Sequence, residues 1–193
     1  PVRVSDERTL DKTVVGFGFY YDRDKLLDAT LVSLRELMRG NVHGVRYPQT
    51  ARDALEHAGL RYGGWIANHE GPAAFARHRF TVHVPRRPYV GSLPGIPTIR
   101  VFEALACGIP LVCAPWDDCE GLFRPGADYL LAADGRQMAG HMRALRDDPQ
   151  LRAALAASGL ETVKARHTCH HRAEQLLSLV ERERRGSIAE AAE

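Results

Sequence analysis

Arg100 and Glu103 stand three residues apart in the run GIPTIRVFEALACGIPLV, residues 95–112. At that spacing on a helix the two side chains share a face. Just before them come Pro97, pre-set for a first helical turn, and Thr98, a good N-cap residue. A helix N-terminus offers free N–H groups and the positive end of the macrodipole, which suits a phosphate. A guanidinium beside it can fork onto phosphate oxygens, and a carboxylate there can accept hydrogen bonds from a ribose diol. The same pair equally fits a solvated ion pair that binds nothing, and the pattern leaves both readings open.

The elements that must hold these residues are legible around them. Ile99, Phe102 and Ala106 share one face of the predicted helix, with Leu105 beside them, and Gly108 is the expected C-cap. Residues 109–113 form an apolar run of buried-strand type, with Pro110 near its start. Upstream, VVGFG at residues 14–18 has the look of a first strand and its turn. Leu27, Leu31, Leu34 and Met38 mark a helix closed by Gly40. Further strands are expected at residues 41–47, 60–64 and 80–84, with short helices at 51–58 and from Pro72 to Phe75. Downstream, a strand is expected at 129–132, followed by a helix marked by Met138, His141, Met142 and Leu145. Another starts at Asp148-Pro149 with Leu151, Leu155 and Val163 inward. The last has Ala173, Leu176, Leu177 and Val180 inward. Strands alternating with helices predict βαβ units: an α/β domain with a parallel sheet of about six strands and helices on both faces. Such sheets bind ligands beyond the carboxyl ends of their strands. We expect one domain over residues 1–183 and a frayed tail at 184–193.

Bulk properties narrow the function classes. At 193 residues, with 45% apolar and 26% charged residues, the chain has the composition of a globular domain with a real core. A net charge of +2 with scattered basic residues gives no case for nucleic acid or an anionic membrane surface. No apolar stretch approaches the roughly 20 residues of a spanning helix, and no signal peptide opens the sequence. Cys107, Cys113, Cys119 and Cys169 show no CxxC pattern or disulfide framework. A cytoplasmic location is the resulting expectation.

Two other runs invite chemistry. Gly16 and Gly18 form a GxG turn after the first strand, but Tyr21 holds the last position of GxGxxG. His167 and His171, at i and i+4 with Cys169 between, have metal-chelating spacing, although no carboxylate or second cluster completes a set. His83, in a predicted strand, fits either the core or a site. No Ser-His-Asp arrangement or hydrolytic carboxylate dyad is evident.

FEALACGIPLV, residues 102–112, resembles the E-A-x-A-x-G-x-P-[LV] signature in the C-terminal half of group 1 GT-B glycosyltransferases. APWDDCEGLFRPGADYLLA and ARHTCHHR are similar to the CgeB-like (spore maturation protein) branch. The resemblance covers roughly residues 14–180. It implies a Rossmann-like domain, one half of a GT-B fold, that binds a nucleoside diphosphate sugar as donor substrate without a bound metal or cofactor. It also implies transfer to an unknown acceptor and a partner N-terminal domain outside this sequence, without which the chain is expected to be inactive. By resemblance, Glu103 holds ribose; Arg100, Thr98 and the Gly16–Gly18 loop face the diphosphate. Trp65 and Ile66 wall the base, and Glu120 approaches donor sugar or ribose. Trp65 also fits a residue packing the domain edge, and Glu120 an ordinary helix-start acid. His167, Thr168 and Arg172 become a helix-start signature. One departure stands out: the family's first glutamate, eight residues before Glu103, is Gly95 here. Two rivals are a non-catalytic nucleotide-sugar-binding or interaction domain of this fold and a sugar-nucleotide epimerase relative.

Overall fold

A computed structural model describes residues 13–14, 40–43, 48–84, 91–92, 95 and 97–190. Among these residues there are six short strands, all in parallel pairings. β1 (Thr13–Val14), β2 (Gly40–Val42) and β3 (Arg61–Tyr62) hydrogen-bond in that order. β4 (Thr81–His83), β5 (Leu111–Cys113) and β6 (Leu130–Leu131) do the same. The helices are α1 (Gln49–His57), α2 (Gly71–Ala76), α3 (Ile99–Ala106), α4 (Gly135–Asp147), α5 (Pro149–Arg166) and α6 (Cys169–Glu190). A 3-10 turn at Asn68–Glu70 leads into α2. This is the parallel α/β architecture that the alternating pattern predicts. Among the described residues, no helix is long and apolar enough to cross a membrane.

Two apolar clusters hold the layers together. One joins Val42 and Leu60 to Phe80, Val82 and Val112, under Met138, Met142, Leu145 and Leu155. The other packs Val101, Ala104 and Leu105 of α3 against Leu111, Phe123, Tyr129 and Val163. The α3–α5 contact is close because position 159 is a glycine. A Cβ there would lie 2.7 Å from Leu105 Cδ2 and 3.0 Å from the Asp128 carbonyl oxygen.

Several expected boundaries shift. The strand expected at 41–47 occupies Gly40–Val42, with 44–47 outside the described residues. The strands expected at 60–64, 80–84 and 129–132 shorten to β3, β4 and β6. In α3 the inward face is Val101, Ala104 and Leu105, whereas Ile99 and Ala106 are exposed and Phe102 is half-buried. The helix is apolar on nearly every side, so two stripes have helical period and packing against α5 selects between them. Leu176, Leu177 and Val180, expected inward, are exposed, because α6 carries them beyond the two clusters. That helix continues to Glu190, through most of the expected tail.

Candidate functional site

Thr98 occupies the N-cap position of α3, with extended backbone (φ −73°, ψ 156°), but its side chain makes no capping hydrogen bond. Its hydroxyl lies 2.8 Å from His83 Nε2 instead. His83 Nδ1 lies 3.2 Å from Cys113 Sγ, and the Cys113 thiol donates to the Ala114 carbonyl at 3.2 Å. With the thiol proton committed to that carbonyl, Nδ1 is the donor to sulfur, and Nε2 accepts from Thr98. The relay ties the start of α3 to the ends of β4 and β5. His83 and Cys113 are both buried. Burial, then the nearby Arg100 cation, lowers the His83 pKa to about 4, and burial raises that of the Cys113 thiol to about 12. Both are neutral near pH 7. The undecided strand histidine thus faces the start of α3, and the expected Thr98 side-chain cap is replaced by this bond.

Arg100 Nη1 and Glu103 Oε2 meet at 2.6 Å, with their side chains 49% and 31% exposed. Glu103 Oε2 is itself shielded from solvent, and Arg100 meets it as an ion pair without hydrogen-bond alignment. A pair this exposed stabilises the fold by about 0–1 kcal/mol at most. It can therefore open toward a ligand at little cost.

Gly95 approaches the next loop: a Cβ there would sit 3.0 Å from Cys119 Sγ and 3.5 Å from the Asp117 carbonyl oxygen. The loop leaving β5 is thus brought against the start of the central run. It is pinned internally by Asp118, whose carboxylate accepts from the Leu122 and Phe123 amides at 2.8 and 3.0 Å. Glu120 is exposed on it. Trp65 is 67% exposed and Ile66 half-buried on the separate loop that leaves β3. Gly16 and Gly18 lie outside the described residues. Thr98, Arg100 and Glu103 are therefore together at one helix start, with the Glu120 loop adjoining it through Gly95.

Thr168 opens α6 through a reciprocal cap. Its hydroxyl and amide both reach His171 Nδ1, at 2.6 and 3.3 Å, while the His171 amide lies 3.5 Å from the Thr168 hydroxyl oxygen. His167 is spent on both nitrogens: Nε2 donates to the Leu122 carbonyl at 2.9 Å, and Nδ1 accepts from Arg172 Nη2 at 3.2 Å. Its ring packs on Phe102 and Phe123, and burial, with the surrounding cations, lowers its pKa. No three described His, Cys, Asp or Glu side chains converge as a metal set.

A second anchor was not visible in the sequence. Asp128 is fully buried, and its carboxylate accepts from the Arg124 amide and guanidinium, the Ser158 hydroxyl and the Thr162 hydroxyl. The only local signal is the spacing of Arg124 and Asp128 around Pro125-Gly126. The partners on α5 lie 30 and 34 residues away.

Comparison with known proteins agrees with this architecture. The family model described as glycosyl transferase-like matches residues 23–178, and the chain belongs to that family. No curated protein matches it by sequence. Among solved structures, sucrose-phosphate synthase from Thermosynechococcus elongatus superposes with a TM-score of 0.71 at 19% identity, over 92% of this chain and 47% of that one. HepE from Anabaena, in complex with UDP-glucose, gives 0.70 at 17% identity, over 88% and 49%. The C-terminal domain of a group 1 glycosyl transferase (LpcC) from Francisella tularensis gives 0.57 at 16%, over 87% and 96%. The chain spans about half the length of the first two.

Proposed function

We propose that this chain is the donor-nucleotide-binding half of a GT-B glycosyltransferase of the CgeB-like branch. It holds a nucleoside diphosphate sugar whose sugar passes to an acceptor bound elsewhere. The observation that carries the reading is the start of α3, where the hydroxyl that would cap the helix is drawn away by His83. The Val101 amide is taken by the Thr98 carbonyl at 3.2 Å, and the Ile99 and Arg100 amides stay free for a diphosphate, with the Arg100 guanidinium beside them and Glu103 one turn on. These groups offset the leaving diphosphate's charge in place of a bound metal. Trp65 and Ile66 wall the base, and Glu120 approaches donor sugar or ribose. Gly16 and Gly18 complete the phosphate side.

UDP is the first nucleotide to test, because HepE is solved with UDP and with UDP-glucose. Transfer requires an N-terminal domain in addition to this chain, which alone is inactive. The enzyme works in the cytoplasm. The family match favours this reading over the non-catalytic domain and the epimerase. Calorimetric titration with UDP, GDP, ADP and TDP tests it. One diphosphate should bind, and Glu103→Ala should weaken that binding at least tenfold, about 1.4 kcal/mol. Equal binding by Glu103→Ala refutes the assigned ribose contact, and turnover of nucleotide sugar by this chain alone refutes its inactivity.

A further inference from the structure

The HTCHHR run, which the donor site does not use, builds a cleft of its own. A cavity of about 350 Å³ opens between the Glu120–Leu122 turn and the α5–α6 junction, lined by Arg166, His171, Arg172 and Gln175 among others. Each guanidinium is fixed to the protein through one nitrogen. Arg166 Nη1 donates to the Leu122 carbonyl at 3.3 Å, and Arg172 Nη2 donates to the Arg166 carbonyl at 2.7 Å and to His167 Nδ1. Among the described residues, neither arginine forms a carboxylate ion pair, and each keeps its remaining N–H groups uncommitted. Because Thr168 donates its amide to His171 Nδ1, the neutral His171 ring carries its proton on Nε2 and is a further donor. Gln175 adds an amide. Side chains able to donate thus line one concave surface, with Glu120 as the one carboxylate in its lining.

We infer that this cleft between the Glu120–Leu122 turn and the start of α6 binds an oxyanion, a phosphate or carboxylate group, through Arg166, Arg172 and His171. Guanidinium groups anchored at one edge present a fixed fork to such an anion. The His167 pKa is lowered first by burial, and the Arg172 and Arg166 cations beside it act in the same direction. The inference goes beyond the donor-nucleotide reading: α3 supplies none of the donors, and the cleft shares only Glu120 with the proposed donor site.

Titration of the isotopically labelled 193-residue chain with inorganic phosphate, and separately with succinate, tests it by amide and guanidinium NMR shifts. We expect saturable shifts confined to residues 120–122 and 165–175 with at least one of the two anions, and the tighter anion names the source. Gln175→Glu, an exposed substitution that places a like charge in the cleft, should weaken binding roughly threefold or more, as should Arg166→Gln. Glu120→Gln should strengthen it, and Lys164→Gln, on the exposed side of α5, should leave it unchanged. Absence of saturation in the millimolar range with both anions overturns the inference. So does binding that ignores Gln175→Glu and Arg166→Gln, or that falls equally with Lys164→Gln. Shifts confined instead to residues 98–103 would overturn it while leaving the donor site standing. Failure of nucleotide titration alone would leave the cleft untouched.

Discussion

Replacing Asp128 by asparagine removes one charge and one acceptor oxygen from a buried carboxylate that takes five donated hydrogen bonds. Arg124 N and Nε reach Oδ2 at 2.9 and 3.2 Å. Arg124 Nη2, Ser158 Oγ and Thr162 Oγ1 reach Oδ1 at 2.8, 2.7 and 3.0 Å. The asparagine amide can keep its oxygen toward one set only, and its NH2 then confronts donors. Its least costly placement keeps the oxygen toward Ser158 and Thr162 and leaves the Arg124 amide unpaired, at about 1–3 kcal/mol. The remaining bonds lose their charge assistance, which roughly halves each. The Arg124 side chain is 61% exposed and regains water, so the full 3–5 kcal/mol of breaking a buried pair does not apply. The net cost is about 2–4 kcal/mol. Urea unfolding at pH 7 should show it as a lower midpoint at unchanged slope, and a thermal melt as a fall of about 4–16 °C. Burial alone would raise the Asp128 pKa, but the hydrogen bonds from Arg124, Ser158 and Thr162 prevail and lower it. A carboxylate depressed in the folded state stabilises above its unfolded value of 3.8, and that contribution is lost as pH falls through the folded value. A cost below about 1 kcal/mol, or strict additivity with Thr162→Val, would refute the reasoning.

Two further perturbations separate packing from charge. Gly159→Ala drives a methyl into Leu105 and the Asp128 carbonyl and should cost about 1–3 kcal/mol. Gly140→Ala, exposed on α4 with nothing within 4 Å, should instead stabilise by about 0.5–1 kcal/mol; opposite signs in one denaturation series are the check. His78 and His83 are both buried, and burial first of all lowers each pKa from 6.5 to about 4. Between those values the unfolded chain binds more protons, so stability is fully present above pH 6.5 and declines as pH falls toward 4. Unfolding at pH 4.5 should show each histidine contributing roughly 2–3 kcal/mol less than at pH 7. His83→Gln should flatten that slope, and an unchanged slope would count against a neutral buried His83.

Local periodicity and punctuation made the elements readable. The Thr98 cap position, the Gly108 turn (φ +65°) and Asp148-Pro149 at the start of α5 are short-range signals, and each stands where the residue types require. Asp148 accepts from the Leu151 amide as an N-cap should, and the alternation of strand and helix already implied a parallel α/β fold. The central run likewise carried the family resemblance, because its chemistry lies within ten residues. What the chain order could not convey was which of several permitted contacts each residue takes. Packing against Gly159 chose the buried face of α3 from two apolar stripes. His83 lies fifteen residues before Thr98 and thirty before Cys113, yet its ring draws the threonine hydroxyl away from the helix it was expected to cap. Asp128 meets Ser158 and Thr162, and His167 meets Leu122 across 45 residues. Such pairings depend on closing long loops over a shared core, a three-dimensional constraint with no counterpart in local spacing.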